Sequence, residues 1–320
     1  MAGVPVVNVS RFTLHAPRFR SRVLPRRVAQ AFFFPYKDTN APIGATAPGR
    51  REKGGGGIMG GKVIVSRDGS VATVTISNPA KKNALNLKIL GEIRRAFEEL
   101  SVPEVRCVIL RGEGGEAFCA GYDITAIPAG GSGEAQVLLS SNPFDDMIRA
   151  VESFPAPVIG MLNGFAFGGG LELAIACDIR VASDQAVFGM TPARLGIIYR
   201  PAGLMRFVNV IGLPATKELF YTARKVSARR AVDLRLVNRA CPPEELEQVA
   251  GEMAREIAGN APLSIRGTKR ILALCMEFRG LPPAEGEEAE CLIRQCMESR
   301  DLVEGKKAFL SKRKPEFRGR

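Results

Sequence analysis

The sequence predicts an α/β core followed by a helical C-terminal region. Between residues 62 and 212, short apolar runs rich in β-branched residues alternate with segments of helical periodicity. Two of these runs, residues 105–110 and 157–162, are each followed by a glycine-containing loop. After Gly212 the pattern is mainly helical to the end of the sequence.

The core begins with a predicted β-hairpin and a helix. Residues 63–66 and 71–76 are strand-like and flank Asp68-Gly69, a dipeptide that favours the tight turn between antiparallel strands. An amphipathic helix follows, and its apolar face consists of Leu90, Ile93, Phe97 and Leu100.

The middle of the chain continues the alternation. Glycine and serine are frequent in residues 128–142, which predicts a mobile loop. Asn142 then caps a helix that has Pro143 in its first turn. The strand at 157–162, a second glycine-rich loop, a helix at 171–177 and a strand at 179–182 complete this part.

The net charge of +12 is unevenly distributed. Residues 1–58 carry ten Lys and Arg against two acids, a net charge of +8, and the remainder carries 35 basic and 31 acidic residues. Residues 1–58 also contain six prolines and no periodicity, which predicts disorder. We therefore divide the chain into a disordered extension (1–58), a core (59–250) and a helical C-terminal region that serves oligomerisation (251–320).

Two hypotheses account for the basic extension. An arginine-rich, acid-poor segment is typical of a mitochondrial transit peptide, although its prolines would interrupt the usual amphipathic helix. The favoured hypothesis is that the native start is Met59, because Arg51-Glu52-Lys53 and the four glycines that follow resemble a translated ribosome-binding site. We expect a cytoplasmic protein in the second case and a mitochondrial matrix protein in the first.

Composition excludes several classes of site. The seven cysteines form no Cys-x-x-Cys pair and His15 is the only histidine, so neither a metal site nor a disulfide framework is expected. No uninterrupted apolar run reaches the roughly 18 residues of a membrane span. Because no histidine follows residue 58, Ser-His-Asp and Cys-His mechanisms are excluded there.

Two glycine-containing loops are the strongest functional signal. Residues 118–123 read Phe-Cys-Ala-Gly-Tyr-Asp, and residues 164–172 read Gly-Phe-Ala-Phe-Gly-Gly-Gly-Leu-Glu. A glycine-rich turn that leads into a helix exposes N–H groups that have no partner inside the helix. Two such loops can direct N–H donors at one oxygen that gains negative charge, although glycine is also used in tight turns for steric reasons alone.

Together the loops resemble the signature of the crotonase family, the enoyl-CoA hydratase/isomerase superfamily. The resemblance covers residues 62–317, and it includes Asn-Pro-Ala-Lys-Lys-Asn-Ala-Leu at 78–85 and Glu-Gly-Lys-Lys-Ala-Phe-Leu-Ser-Lys-Arg-Lys-Pro at 304–315. It implies a spiral of ββα repeats that assembles as a homotrimer or hexamer. It also implies an acyl-CoA thioester substrate, whose oxygen the N–H groups of Tyr122 and Gly169 hold, and no separate cofactor.

The resemblance also distinguishes between reactions within the family. Its hydratases use two glutamates; Glu172 matches the first, but Pro192 occupies the position of the second. Proline cannot transfer a proton, so hydration by two carboxylates loses one of them. The sequence from Met190 to Tyr199 resembles instead the methylmalonyl-CoA decarboxylase branch, in which loss of carbon dioxide leaves a thioester enolate.

The resemblance implies a role for several further residues. Thr191 and Tyr199 orient the departing carboxylate or deliver a proton afterwards, although Tyr199 could also be a core tyrosine. Tyr122 replaces the histidine that the decarboxylase branch often has. Glu172 is either a base or a first-turn acid that favours the helix dipole. The residues predicted to bind coenzyme A are Lys82, Ala84, Ala120, Asp123, Ile124, Phe309 and Lys312.

The sequence is compatible with three functions. The favoured one is decarboxylation of a malonyl-type acyl-CoA such as methylmalonyl-CoA. The second is hydration or isomerisation of an enoyl-CoA by Glu172 alone. The third is a catalytically weak CoA-binding or RNA-binding protein whose basic residues 306–320 contact phosphates, although this segment lacks clustered aromatics for base stacking. We expect no membrane association and no nucleic-acid partner.

Overall fold

Two β-sheets and the helices around them make up the part of the chain that the computed structural model describes. The description covers residues 60–123, 142–195 and 199–278, with scattered positions between 291 and 320. The extension at 1–58 and most of the predicted loop at 128–142 lie outside these residues.

Ten strands are described, and they fall into two groups. Six form the larger sheet in the order β1-β2-β3-β5-β7-β10, and four form the smaller sheet in the order β4-β6-β8-β9. In chain order they are β1 (Lys62–Asp68), β2 (Val71–Ser77), β3 (Cys107–Gly112), β4 (Ala117–Cys119), β5 (Val158–Leu162), β6 (Phe165–Phe167), β7 (Ile179–Ser183), β8 (Val187–Gly189), β9 (Val226–Ser227) and β10 (Arg239–Cys241).

The α-helices of the continuous described segments follow the same alternation. In chain order they are α1 (Leu87–Glu99), α2 (Pro143–Glu152), α3 (Gly169–Ala176), α4 (Pro201–Thr222), α5 (Ala228–Asp233), α6 (Pro243–Gly259) and α7 (Pro262–Phe278). The predicted boundary at residue 250 falls within α6, and the division of the chain at that position stays a prediction.

The larger sheet contains the elements that the sequence predicts. β1 and β2 form the expected antiparallel hairpin around Asp68-Gly69, while β2, β3, β5, β7 and β10 pair in parallel. β3 begins two residues later than predicted because the amide of Val105 donates to the carbonyl of Val102 in a turn. The α/β class is thus confirmed.

The smaller sheet was not predicted. Its strands are two or three residues long, so they show too few alternations for a period of two to be recognised. β4 and β6 pair in parallel, and they occupy the first residues of the two segments that were predicted as glycine-containing loops, 118–123 and 164–172. The short sheet therefore determines where both loops begin.

Asparagine side chains cap the first turns of α1 and α2. The Asn142 side chain accepts hydrogen bonds from the amides of Phe144 (3.1 Å) and Asp145 (3.4 Å), which confirms the predicted cap of α2. The Asn86 side chain accepts from the Ile89 amide in the same way and starts α1. α4 is bent at Gly212, which has a φ of +76°.

Two buried asparagines hold the segment that leads into the first loop. The side-chain amides of Asn83 and Asn163 both donate to the carbonyl of Ala117, at 2.8 and 3.3 Å. Asn163 also accepts from the amide of Gly112 at 3.0 Å. Asn83, from the motif at 78–85, and Asn163, directly after β5, thus have a structural role: together they fix β4 beside the end of β3.

The two loops pack backbone against backbone. A Cβ atom on Gly121 would lie 2.7 Å from the carbonyl oxygen of Phe167, and one on Gly170 would clash with the carbonyl oxygen of Cys119. Gly121 also has a φ of +103°, a conformation that side chains disfavour. Only glycine therefore permits this approach of the two chain segments.

Among the described residues, no helix combines the length and the apolarity needed to cross a lipid bilayer. α4 is the longest helix of the continuous segments, and part of its surface packs against α3 beside the two loops.

We predict that Gly170→Ala destabilises the protein, because its new methyl group has to displace the backbone at Cys119. The free energy of unfolding should fall by about 1–3 kcal/mol. Gly91→Ala is the matched control: it lies within α1, a Cβ there would contact nothing within 4 Å, and it should raise the free energy of unfolding by roughly 0.5–1 kcal/mol. Chemical denaturation measures both. Equal stabilities of the two variants would contradict the backbone contact.

Candidate active site

The two predicted N–H donors lie side by side. A Cβ built on Gly169 would be 3.5 Å from the amide nitrogen of Tyr122, and one built on Gly121 would be 3.4 Å from the amide nitrogen of Gly169. The structure therefore brings together two loops that are more than 40 residues apart in the sequence.

Within the described ranges, the amides of Tyr122 and Gly169 both lack a protein acceptor, and the reason differs between them. Around Tyr122, the neighbouring amides are used: Ala120 donates to Lys82, Gly121 to the sulfur of Cys119, and Asp123 to Leu85. For the Tyr122 amide itself, the described part of the chain offers no acceptor. Gly169 is the first residue of α3, where N–H groups have no intrahelical partner. This pair can hold one oxygen atom.

An apolar ring covers this position. The Cε2 atom of Phe144 would lie 3.0 Å from a Cβ on Gly169, so the first turn of α2 packs directly over the donor. Gly168, directly before Gly169, has a φ of +51°. Thr191 Oγ1 lies 4.0 Å from the position that a Cβ atom on Gly168 would occupy. Thr191 is thus close to the second loop, as expected for a residue of the site.

Glu172 lies in the first turn of α3 and is only 3% exposed. Its Oε1 accepts from Nη1 of Arg206 at 2.9 Å. Arg206 comes from α4 and also binds Glu152 at the end of α2, with 2.7 Å between Nε and Oε1 and 3.1 Å between Nη2 and Oε2. One guanidinium thus links two carboxylates, one buried and one at the surface.

Burial raises the pKa of Glu172 to about 7, although the charge and hydrogen bond of Arg206 act in the opposite direction. The negative charges of Asp145 and Glu152 on α2 add to the increase. The carboxyl group can therefore be protonated or ionised near neutral pH, which is the range required of a general acid or base.

Tyr199 lies against the same carboxylate. A Cβ on Gly203 would be 2.9 Å from Oε1 of Glu172 and 3.1 Å from Cδ1 of Tyr199, so both side chains meet at this glycine. The ring of Tyr199 also packs edge-on against Phe220, with centroids 5.4 Å apart. Burial and the charge of Glu172 raise the pKa of the Tyr199 hydroxyl, which is therefore neutral.

The position of the second hydratase glutamate holds no acid. Pro192 is buried and opens a short 3-10 helix, Pro192–Leu195.

Sequence reasoning missed Arg206, which forms an ion pair with Glu172, because an arginine on a helix is usually a surface residue. Its place within an apolar helical stretch, seven residues after Tyr199, is the signal that was available.

Tyr122 contributes more than its backbone amide. Its side chain packs partly buried against the core, and its buried hydroxyl oxygen has no hydrogen-bond partner in the part of the chain that is described. Burial, with the nearby charge of Asp123, raises its pKa. A buried hydroxyl without a partner is costly, so an additional acceptor at this position would be bound favourably.

The residues predicted to bind coenzyme A are only partly described. Ala120 and Ala84 lie on the two segments joined by the Leu85–Tyr122 bridge. Lys82 pairs with Glu116 at 2.6 Å and lies over the ring of Phe165. Asp123 pairs with Lys81 at 2.8 Å, which supports a role in fixing the loop. The three residues outside the description are Ile124, Phe309 and Lys312.

In the described ranges, His, Cys, Asp and Glu side chains form no group of three or more that could hold a metal ion. The polar groups of this region are the two amides with Thr191 beside the second loop, and Glu172 with Arg206 and Tyr199 beside it. This set can stabilise an oxyanion and move a proton.

Comparison with known proteins agrees with this geometry. Residues 66–320 match the enoyl-CoA hydratase/isomerase family. The chain belongs to this family. It is therefore an enzyme of the crotonase superfamily, and the fold predicted from the resemblance is confirmed.

Individual relatives have different names. The chain is 34% identical over 250 residues to methylmalonyl-CoA decarboxylase of Escherichia coli K12, which covers 78% of this chain and 95% of that protein. It is 36% identical over 257 residues to short-chain-enoyl-CoA hydratase of Clostridium acetobutylicum, covering 79% and 96%. The crystal structure of an enoyl-CoA hydratase from Bacillus anthracis superposes with a TM-score of 0.75 at 32% identity, covering 81% of this chain and all of that one.

The raised pKa of Glu172 predicts a pH-dependent stability. The folded protein binds this proton more tightly than the unfolded chain, so Glu172 lowers the free energy of unfolding as the pH rises from about 4.5 to about 7. Glu172→Gln removes this effect. Relative to the wild type, the variant should gain roughly 3 kcal/mol between pH 4.5 and pH 7.5, as measured by denaturant unfolding.

The matched control is Glu98→Gln on the exposed surface of α1, where the carboxylate is 54% exposed in an ion pair with Arg94. This variant should keep the pH dependence of the wild type. A constant stability difference between Glu172→Gln and the wild type across this range would contradict the buried-acid interpretation.

Proposed function

We propose that this enzyme decarboxylates a malonyl-type acyl-CoA, such as methylmalonyl-CoA, through a thioester enolate held by the amides of Tyr122 and Gly169. The observation that carries the proposal is the composition of the site. Among the described residues, it has two adjacent N–H donors for an enolate oxygen but a single buried carboxylate, Glu172, with buried Pro192 where hydration by two carboxylates would need the second.

The reaction starts with cleavage of the C–C bond between the α-carbon and the carboxylate. Carbon dioxide leaves, the electron pair of the broken bond forms the enolate, and negative charge develops on the thioester oxygen. Two preorganised N–H groups stabilise this charge more in the transition state than in the ground state. The ring of Phe144 beside Gly169 limits solvation of the departing carboxylate, which favours loss of its charge.

A proton must then reach the α-carbon. Protonated Glu172 and the neutral hydroxyl of Tyr199 are the two candidate donors, and both pKa values are raised by burial. Protonated Glu172 also avoids repulsion of the negatively charged substrate. Activity should therefore fall above about pH 7, as Glu172 ionises.

The second candidate function is hydration or isomerisation of an enoyl-CoA by Glu172 alone. It is favoured by the same pKa near 7, because ionised Glu172 can accept a proton from water or from the substrate. Its activity would rise toward pH 7 rather than fall above it. A CoA-binding protein without turnover is the third, and the two adjacent donors argue against it.

The proposal also covers the coenzyme A contacts, the oligomeric state and the cellular location of the enzyme. Coenzyme A belongs to the substrate. Lys82 and Ala84 on one segment and Ala120 and Asp123 on the neighbouring one are proposed to contact it, as are Ile124, Phe309 and Lys312, which are assigned from the resemblance. We expect a cytoplasmic homotrimer or hexamer, with no nucleic-acid or membrane partner.

Incubation with methylmalonyl-CoA and with crotonyl-CoA, followed by mass spectrometry, separates the reactions. We predict propionyl-CoA from the first and no hydration of the second. Tyr199→Phe should slow propionyl-CoA formation roughly 10- to 100-fold, because the hydroxyl orients the carboxylate or donates the proton.

Tyr221→Phe is the control, since Tyr221 is 74% exposed on α4 and should retain full activity. Conversion of crotonyl-CoA to a hydroxyacyl product without any loss of carboxylate from methylmalonyl-CoA would contradict the proposal and support the second function.

A further inference from the structure

Arg206 lies where three helices meet. Its guanidinium comes from α4 and binds Glu172 on α3 and Glu152, the last residue of α2. The side chain of Arg206 is 13% exposed, whereas that of Glu152 is 36% exposed. A chain of charges therefore leads from the buried acid of the site to the protein surface.

The two carboxylates bind this cation unequally. Glu152 accepts two hydrogen bonds, one on each oxygen, which is the bidentate geometry that orients a guanidinium most strongly. Glu172 accepts one, from the remaining nitrogen. Glu152 thus fixes the plane of the guanidinium. In this orientation Nη1 of Arg206 points inward and donates to Glu172.

We propose that Glu152, which lies outside the substrate site, is a positioning residue that holds Arg206 toward the protein surface and so weakens its stabilisation of ionised Glu172. This inference rests on the proposed role of Glu172 as the proton donor. Because Arg206 carries one positive charge between two carboxylates, Glu152 offsets part of the charge that would otherwise stabilise ionised Glu172. The carboxylate at the surface therefore helps Glu172 to keep its proton at neutral pH.

The other charges and titratable groups near Glu172 do not provide this link. Asp145, at the opposite end of α2, accepts from the side-chain amide of Asn142 at 2.7 Å and pairs with Arg200 at 3.6 Å. Tyr199 is neutral because burial raises its pKa. Cys119 on β4 is fully buried, and burial raises the pKa of its thiol to about 12. Only Glu152 shares the guanidinium of Arg206 with Glu172 in the described part of the chain.

α2 gives this arrangement a second connection to the site. Its first turn places Phe144 over the Gly169 donor, and its last residue holds Arg206. The helix is 10 residues long and capped at Asn142, so it is a stiff element that contacts the site at both ends. Glu152 is accordingly positioned by the same helix that covers the oxyanion donors.

The test measures the charge of Glu172 directly by infrared absorption of its protonated carboxyl group, identified as the band that Glu172→Gln removes. We expect Glu152→Gln to lower the pH at which this band disappears by about one unit, a tenfold loss of proton affinity. Arg206→Met should raise that pH, and Arg206→Lys, which keeps the charge, should raise it less. Glu98→Gln, on the exposed face of α1, should leave it unchanged.

The pH above which decarboxylation declines should move in parallel with the band. A band that is unchanged in Glu152→Gln, or that disappears at higher pH, would overturn the inference, even if propionyl-CoA is formed. A band that disappears at lower pH in Glu152→Gln, in a protein that forms no propionyl-CoA, would support the control of Glu172 by Glu152 and contradict the proposed reaction instead. Glu152→Gln retains hydrogen-bonding atoms at a half-exposed position, so it should fold when the Arg206 variants do not.

Discussion

The backbone contact between the two loops is the constraint on which the site depends. Gly121 and Gly170 allow carbonyl oxygens of the opposite loop to approach more closely than any side chain would permit. This contact sets the spacing of the Tyr122 and Gly169 amides, which no side chain of the site determines. β4 and β6 hold the loops at one end, and α3 begins at the other. A fold built this way can vary its acid–base residues while retaining an oxyanion site.

Electrostatics then decides what the site can do. Burial of Glu172 raises the free energy of its ionised form. Arg206 offsets only part of this increase because it also binds Glu152. The result is an acid that changes charge near neutral pH beside two donors of fixed position. Such a combination can stabilise an enolate oxygen and transfer one proton, and Pro192 supplies no second acid or base.

Sequence reasoning predicted the elements whose signals are local. The Asp68-Gly69 hairpin, the Asn142 cap and the apolar face of α1 each depend on residues within a few positions of one another. The smaller sheet was missed because strands of two or three residues carry no period. Arg206 was missed for a different reason: its importance depends on contacts with helices 34 and 54 residues away in the chain. Loop motifs predicted the two donors, whereas only the fold shows that their loops meet.

The central claim is that these two amides bind the thioester oxygen. A crystal structure with propionyl-CoA tests it most directly, because this saturated thioester can be neither hydrated nor decarboxylated. We predict that the thioester oxygen lies within about 3.2 Å of the amide nitrogens of both Tyr122 and Gly169. A bound thioester whose oxygen contacts neither amide, or only one of them, would contradict it.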